Sequence, residues 1–105
     1  MVVIRRKEGL SREEFLDHWQ RLHPPFVERL PGIRYYRQNV AIEHRKQWPY
    51  DGIAEMSFDS VADVKAAFSS PAATELFAHE EEFLGHIEWF IAEESDVPLN
   101  VPGED

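Results

Sequence analysis

Five histidines, at positions 18, 23, 44, 79 and 86, are the side chains of this 105-residue protein best suited to chemistry, because imidazole exchanges protons near neutrality. Their surroundings differ. At 100° per residue, Phe15, Leu16, Trp19, Leu22, Phe26 and Val27 span an apolar arc of about 140° on a first helix, and His23 falls inside it. His23 is therefore expected to face the core, either as a half-buried imidazole bonded to a carbonyl freed by Pro24 or as an acid–base group. His18 lies at the margin of the arc and reads as a solvated boundary residue. His79 sits on the edge of a stripe made by Leu76, Phe77, Phe83 and Leu84, aimed at the gap between a second helix and a sheet. His86 follows Gly85 and suits the end of a helix, where a cation meets the last carbonyls. His44 belongs to a polar loop.

Other chemistries find little support. His18 and His23 are five positions apart, His79 and His86 seven, and no H-E-x-x-H pair is present, so no metal is expected. Glu80, Glu81 and Glu82 spread across about 200° of a helix and read as a solvated face. The sequence has no cysteine, which removes thiol nucleophiles, disulfides and iron–sulfur ligation. It also lacks G-x-S-x-G, Walker and dinucleotide motifs. Tyr35 and Tyr36 are neighbours on one strand and must point to opposite faces. Alternation alone does not choose between them.

The elements that position these groups follow from capping and periodicity. Val2 to Arg6 reads as a strand, and Ser11 with Glu14 forms a capping box for a helix from Arg12 that stops or kinks at Pro24, with a short helical turn to Arg29. After the turn Leu30-Pro31-Gly32, Ile33 to Ile42 reads as the second strand. Residues 43 to 49 form a loop, and Asp51 to Phe58 is the third strand, with Gly52, Ala54, Met56 and Phe58 on one side. Ser60 and Ser70-Pro71 start two helical pieces, Ile87 to Glu94 is the fourth strand, and 95 to 105 is an extended acidic tail.

The order βαββαβ predicts an α+β, ferredoxin-like domain over residues 1–94, a four-stranded antiparallel sheet with helices on one face. The strands hold more apolar surface than one helical layer covers, so a homodimer joined sheet to sheet is expected. With 43% hydrophobic residues and 12% aromatic, the chain supplies one modest core. A net charge of −9 opposes nucleic-acid binding. No apolar run approaches a membrane span or a secretory leader, so a cytoplasmic protein without membrane contact is expected.

Gly9-Leu10-Ser11-Arg12-Glu13-Glu14-Phe15, Trp19, His23-Pro24-Pro25, Leu30-Pro31-Gly32-Ile33, Tyr36 and Asn39 together resemble the EthD family of dimeric α+β barrel proteins. The similarity continues through Phe58 and Pro71 to Phe83 and Glu93-Glu94. Within that family the sequence is similar to the 4-methylmuconolactone methylisomerases at His23, at Pro31-Gly32 with Tyr36, and at Phe77-Ala78-His79 followed by Phe83 and Gly85. The resemblance implies a dimer with a pocket between sheet and helices, and it favours Tyr36 over Tyr35.

The expected activity is that of a small cofactor-independent enzyme that isomerises, cyclises or eliminates from a lactone, aromatic or polyketide-like carbonyl compound. His23 is expected as general acid or base, His79 as a second proton carrier or carbonyl donor, and Tyr36 as donor to developing enolate charge. Arg34 and Asn39 would anchor a carboxylate or carbonyl, with Trp19, Met56 and Phe83 as apolar walls. The alternative is a non-catalytic protein that binds a hydrophobic small molecule or haem in support of an oxygenase, with His23 or His79 as axial ligand.

Overall fold

Strand pairing decides which side chains meet. In a computed structural model that describes residues 1–100, β1 (Val2–Arg6), β2 (Tyr35–Val40), β3 (Gly52–Ser57) and β4 (Leu84–Trp89) form one antiparallel sheet in the order β2-β3-β1-β4. This is the ferredoxin-like arrangement expected from the sequence. Residues 101–105 of the acidic tail lie outside the described residues, and 90–100 have no regular structure.

Directly opposed residues share a sheet face. Val2 opposes Ala54 and Trp89, Ile4 opposes Gly52 and Ile87, Tyr36 opposes Met56, and Gln38 opposes Ala54. All of these look toward the helices. The other face carries Val3, Tyr35, Arg37, Asn39, Ile53, Glu55, His86 and Glu88, with Arg37 paired to Glu55 at 3.9 Å and His86 to Glu88 at 3.3 Å. The open face is thus mixed in character, whereas much of the apolar excess in the strands stays on the helix side. Trp89 there is 62% exposed.

The first helical region departs from the sequence expectation in an instructive way. Ser11 caps α1 (Arg12–Leu16) through the capping box: its hydroxyl accepts from the Glu14 N–H, and its own N–H donates to the Glu14 carboxylate. The chain then widens into a π-helical stretch, Asp17–Leu22, before α2 (Pro24–Glu28). The His23 N–H reaches five residues back to the His18 carbonyl at 2.7 Å. Pro24 explains the widening, because its ring would crowd the carbonyl four residues back in an ordinary α-helix. The helix breaks at His23 and a short one restarts at Pro24, as expected; the change of pitch before the break is what the sequence did not signal.

Helices α3 (Val61–Phe68) and α4 (Pro71–Phe83) cover the rest of the sheet, each capped by a serine hydroxyl, Ser60 and Ser70. The α4 helix runs directly into β4, three residues earlier than periodicity suggested, and β4 ends at Trp89 rather than Glu94. The early start requires Gly85. The register slips there between Arg5 and Arg6, and a Cβ on Gly85 would stand 3.0 Å from the Arg6 carbonyl oxygen. His86 is consequently a strand residue on the open face, not a helix cap.

Two buried clusters hold the layers together. Ile4, Phe15, Trp19, Ala54 and Phe83 form one, and Val27, Leu30, Ala67, Ala73 and Leu76 the other. Tyr36 packs against both and so sits at their junction.

Candidate functional site

A cleft of about 920 Å³ opens between the sheet and the helices. Its walls are largely apolar, with Val2, Ile4, Ala54 and Met56 from the sheet, Phe68 and Phe77 from the helices, and Ile87 and Trp89 from β4. Phe68 stacks on both Phe77 and Trp89 at centroid separations of 6.1 and 6.2 Å. Against these walls stand a few polar groups, among them His23, Tyr36 and Glu80. A concave apolar site with a small number of convergent titratable groups is the usual form of a small-molecule site.

The π-helical stretch builds the polar part. In an α-helix the Trp19 carbonyl would accept from the His23 N–H, which here goes to His18 instead. A π-type partner would be residue 24, and Pro24 has no N–H to give. Gln38 satisfies the orphaned oxygen, its amide donating to the Trp19 carbonyl at 2.6 Å and to the Tyr36 hydroxyl at 2.8 Å. Because Tyr36 accepts from Gln38, its own proton is free for an acceptor in the cleft. Burial raises the Tyr36 phenol above its ordinary value.

His23 and His79 meet through their Nδ1 atoms at 2.9 Å, and both rings are buried. One nitrogen must carry the shared proton, so the pair is a fixed hydrogen bond between two neutral imidazoles. Burial, with a smaller push from His79, lowers His23 to about 4. His79 is lowered too, chiefly by burial. The other side of the His23 ring faces Glu80, Nε2 to Oε1 at 3.9 Å. Desolvation raises the Glu80 carboxyl to about 7. A neutral imidazole and a carboxyl poised near neutrality therefore stand side by side at the cleft.

This geometry rearranges several expectations. His23, Tyr36, Trp19 and Met56 line the cleft, as anticipated. His79 lies behind His23 and Phe83 is fully buried under the imidazoles, so neither is among the lining residues. Arg34 precedes β2 and is held by Asp59 at 2.9 Å on the exposed surface. Asn39 points to the open sheet face, opposite in parity to Tyr36. Glu80 and Gln38 are the residues that sequence reasoning missed. Of the three consecutive glutamates, only Glu81 and Glu82 are exposed, while the Glu80 side chain retains 14% exposure. His18 is no solvated boundary group either: its ring stacks on Phe83 at 5.6 Å, and its Nδ1 is buried without a partner.

A ferredoxin-like sheet with its helices on one face and a cleft between the layers defines the class, a small α+β domain. The chain belongs to the EthD family, whose domain model matches residues 7–87. Solved structures share the fold at low identity. A Bacillus halodurans protein of the EthD family superposes with a TM-score of 0.68 at 14% identity, covering 86% of this chain and 95% of its own. An Arabidopsis thaliana protein gives 0.72 at 17% identity, covering 93% and 95%. A dimeric Bacteroides fragilis protein of unknown function with a ferredoxin-like fold gives 0.60 at 13%, covering 83% and 85%. No curated protein shows significant sequence similarity to the chain. No helix among the described residues is long and apolar enough to cross a membrane.

Proposed function

We propose that this protein is a small enzyme that moves protons on a compact, partly apolar carbonyl compound, such as a lactone or hydroxylated aromatic, so as to isomerise it, cyclise it or eliminate from it. The observation that carries the reading is the His23–Glu80 pair, largely buried and 3.9 Å apart, at a cleft whose walls are largely apolar. In this reading Tyr36 donates its free proton to the substrate carbonyl, and the His23–Glu80 pair takes the proton from the adjacent carbon. The C–H electron pair moves into an enolate that Tyr36 stabilises. Return of the proton to a different carbon completes an isomerisation, and loss of a β-leaving group completes an elimination. His79 acts through His23 by holding its ring, and the side chains of the chain supply every acid–base group.

The test is a ligand-dependent thermal shift with lactones, hydroxylated aromatics, quinones and hemin, on the wild type and on His23→Ala. At a ligand concentration a hundredfold above Kd, the stabilisation is about 2.7 kcal/mol in the wild type. The expected result is a shift with a carbonyl compound that His23→Ala reduces, accompanied by turnover of that compound. A shift with hemin alone, with no turnover of any carbonyl compound, overturns the enzymatic reading.

The same proposal takes the functional unit as a homodimer. The dimeric Bacteroides fragilis protein of the same fold supports it, as does the open sheet face, where Val3, Tyr35 and Ile53 lie beside the Arg37–Glu55 ion pair. Analytical ultracentrifugation at micromolar concentration should give about twice the chain mass of 12.3 kDa. A monomer there excludes the assembly.

A further inference from the structure

Behind the cleft, on the far side of His79, the π-helical stretch and α4 bring a second set of donors together. One nitrogen of His18, one of His79 and one carboxylate oxygen of Glu82 lie within 4.8 Å of one another. His79 Nε2 and Glu82 Oε2 are already 3.6 Å apart, close to the edge of about 3.3 Å that a tetrahedral Zn²⁺ with ligand bonds of about 2.0 Å requires. We propose that His18, His79 and Glu82 form a binding site for a divalent transition-metal cation of the Zn²⁺ type, clamping the π-helical stretch to α4.

Three observations converge on it. The first is the donor set, two imidazoles and one carboxylate, a combination used by open zinc sites in which water takes the fourth position. Glu82 retains 64% side-chain exposure, so the cation has an entry path and room for that water. The second is His18. Its Nδ1 is buried with no hydrogen-bond partner, an unsatisfied group that ordinarily calls for an explanation. The π-helical widening sets the azimuth of its ring toward α4, and such stretches are frequent at functional positions.

The third observation is the support behind the ligands. A metal-bound histidine usually donates its other ring N–H to a fixed acceptor, which sets its tautomer. His79 has that acceptor in His23 Nδ1 at 2.9 Å. With His79 Nε2 occupied by the cation, its proton resides on Nδ1 and is donated to His23 Nδ1. His23 then carries its proton on Nε2, facing Glu80. The site would thus fix the tautomer of an imidazole that lines the cleft. It does not depend on the proposed reaction, because the ligands and their spacing stand apart from the cleft.

Titration calorimetry of chelator-treated full-length protein with ZnCl₂ tests the proposal directly. One saturable site per chain is expected. His18→Ala and Glu82→Gln should each weaken it by at least about tenfold, while His44→Ala, in an exposed loop, leaves it unchanged. Glu82→Gln alters an exposed side chain and keeps the fold, so its result is independent of any packing effect of His18→Ala. Absence of saturable binding, or wild-type affinity in either ligand variant, overturns the site. Turnover is not part of the readout, so failure here leaves the His23–Glu80 reading untouched.

Discussion

Gly52→Ala is expected to destabilise the protein by about 3 kcal/mol or more, a large part of the stability of a domain this size. A methyl group at this buried position in β3 would lie 2.5 Å from Trp19 Cη2, 2.6 Å from Cζ3 and 2.9 Å from the Asn39 carbonyl oxygen. Neither neighbour can yield cheaply. Asn39 is held in the β2–β3 ladder, where it opposes Ile53. Trp19 is 2% exposed and packs against Phe15 at 5.5 Å, while its carbonyl is held by Gln38. Any retreat of the indole moves the π-helical stretch and with it His23. Gly9→Ala provides the contrast: Gly9 has a φ of +92°, but a methyl group there would meet no atom within 4 Å, so only the backbone penalty of about 1 kcal/mol applies. Urea denaturation of the two variants separates the cases. Equal midpoints would mean that Trp19 is not locked over Gly52.

The difference between what the sequence carried and what it concealed has physical causes at particular residues. The strand and helix order was legible because capping serines, Pro71 and the alternation of Gly52, Ala54 and Met56 are local signals. His23 was legible for the same reason: it lies within an apolar arc. Glu80 was not, because a helix taken alone treats three consecutive glutamates as equivalent, and only the placement of His23 across from α4 makes one of them buried. The π-helical stretch was equally hidden. Ideal 100° spacing put His18 at the margin, whereas the widened turns rotate it against Phe83 and His79. Asn39 was different, since strand parity already opposes it to Tyr36, and choosing Tyr36 for the cleft should have removed Asn39. Arg34 shares the parity of Tyr36, but it stands before the strand begins and Asp59 captures it.

Glu80→Gln should make the metal-free protein more stable at neutral pH and, on an identified substrate, lower turnover by about 10² to 10⁴. The stability gain follows from linkage. The Glu80 carboxyl binds its proton more tightly folded, near 7, than unfolded, where the ordinary value of 4.5 applies. Below pH 4.5 both states are protonated and nothing is lost; between pH 4.5 and 7 the unfolded chain ionises while desolvation keeps the folded carboxyl protonated, so the loss grows there and is complete once pH has passed 7. The loss amounts to about 3 kcal/mol by pH 8. Glutamine keeps the shape without the ionisation, so denaturation midpoints measured with chelator should coincide near pH 4 and separate in favour of Glu80→Gln near pH 8. Coincident midpoints at both pH values would mean that Glu80 is not buried against His23. Undiminished turnover would remove it from the acid–base pair. Under the proposed acid–base role, stability and activity are therefore expected to move in opposite directions at this single position.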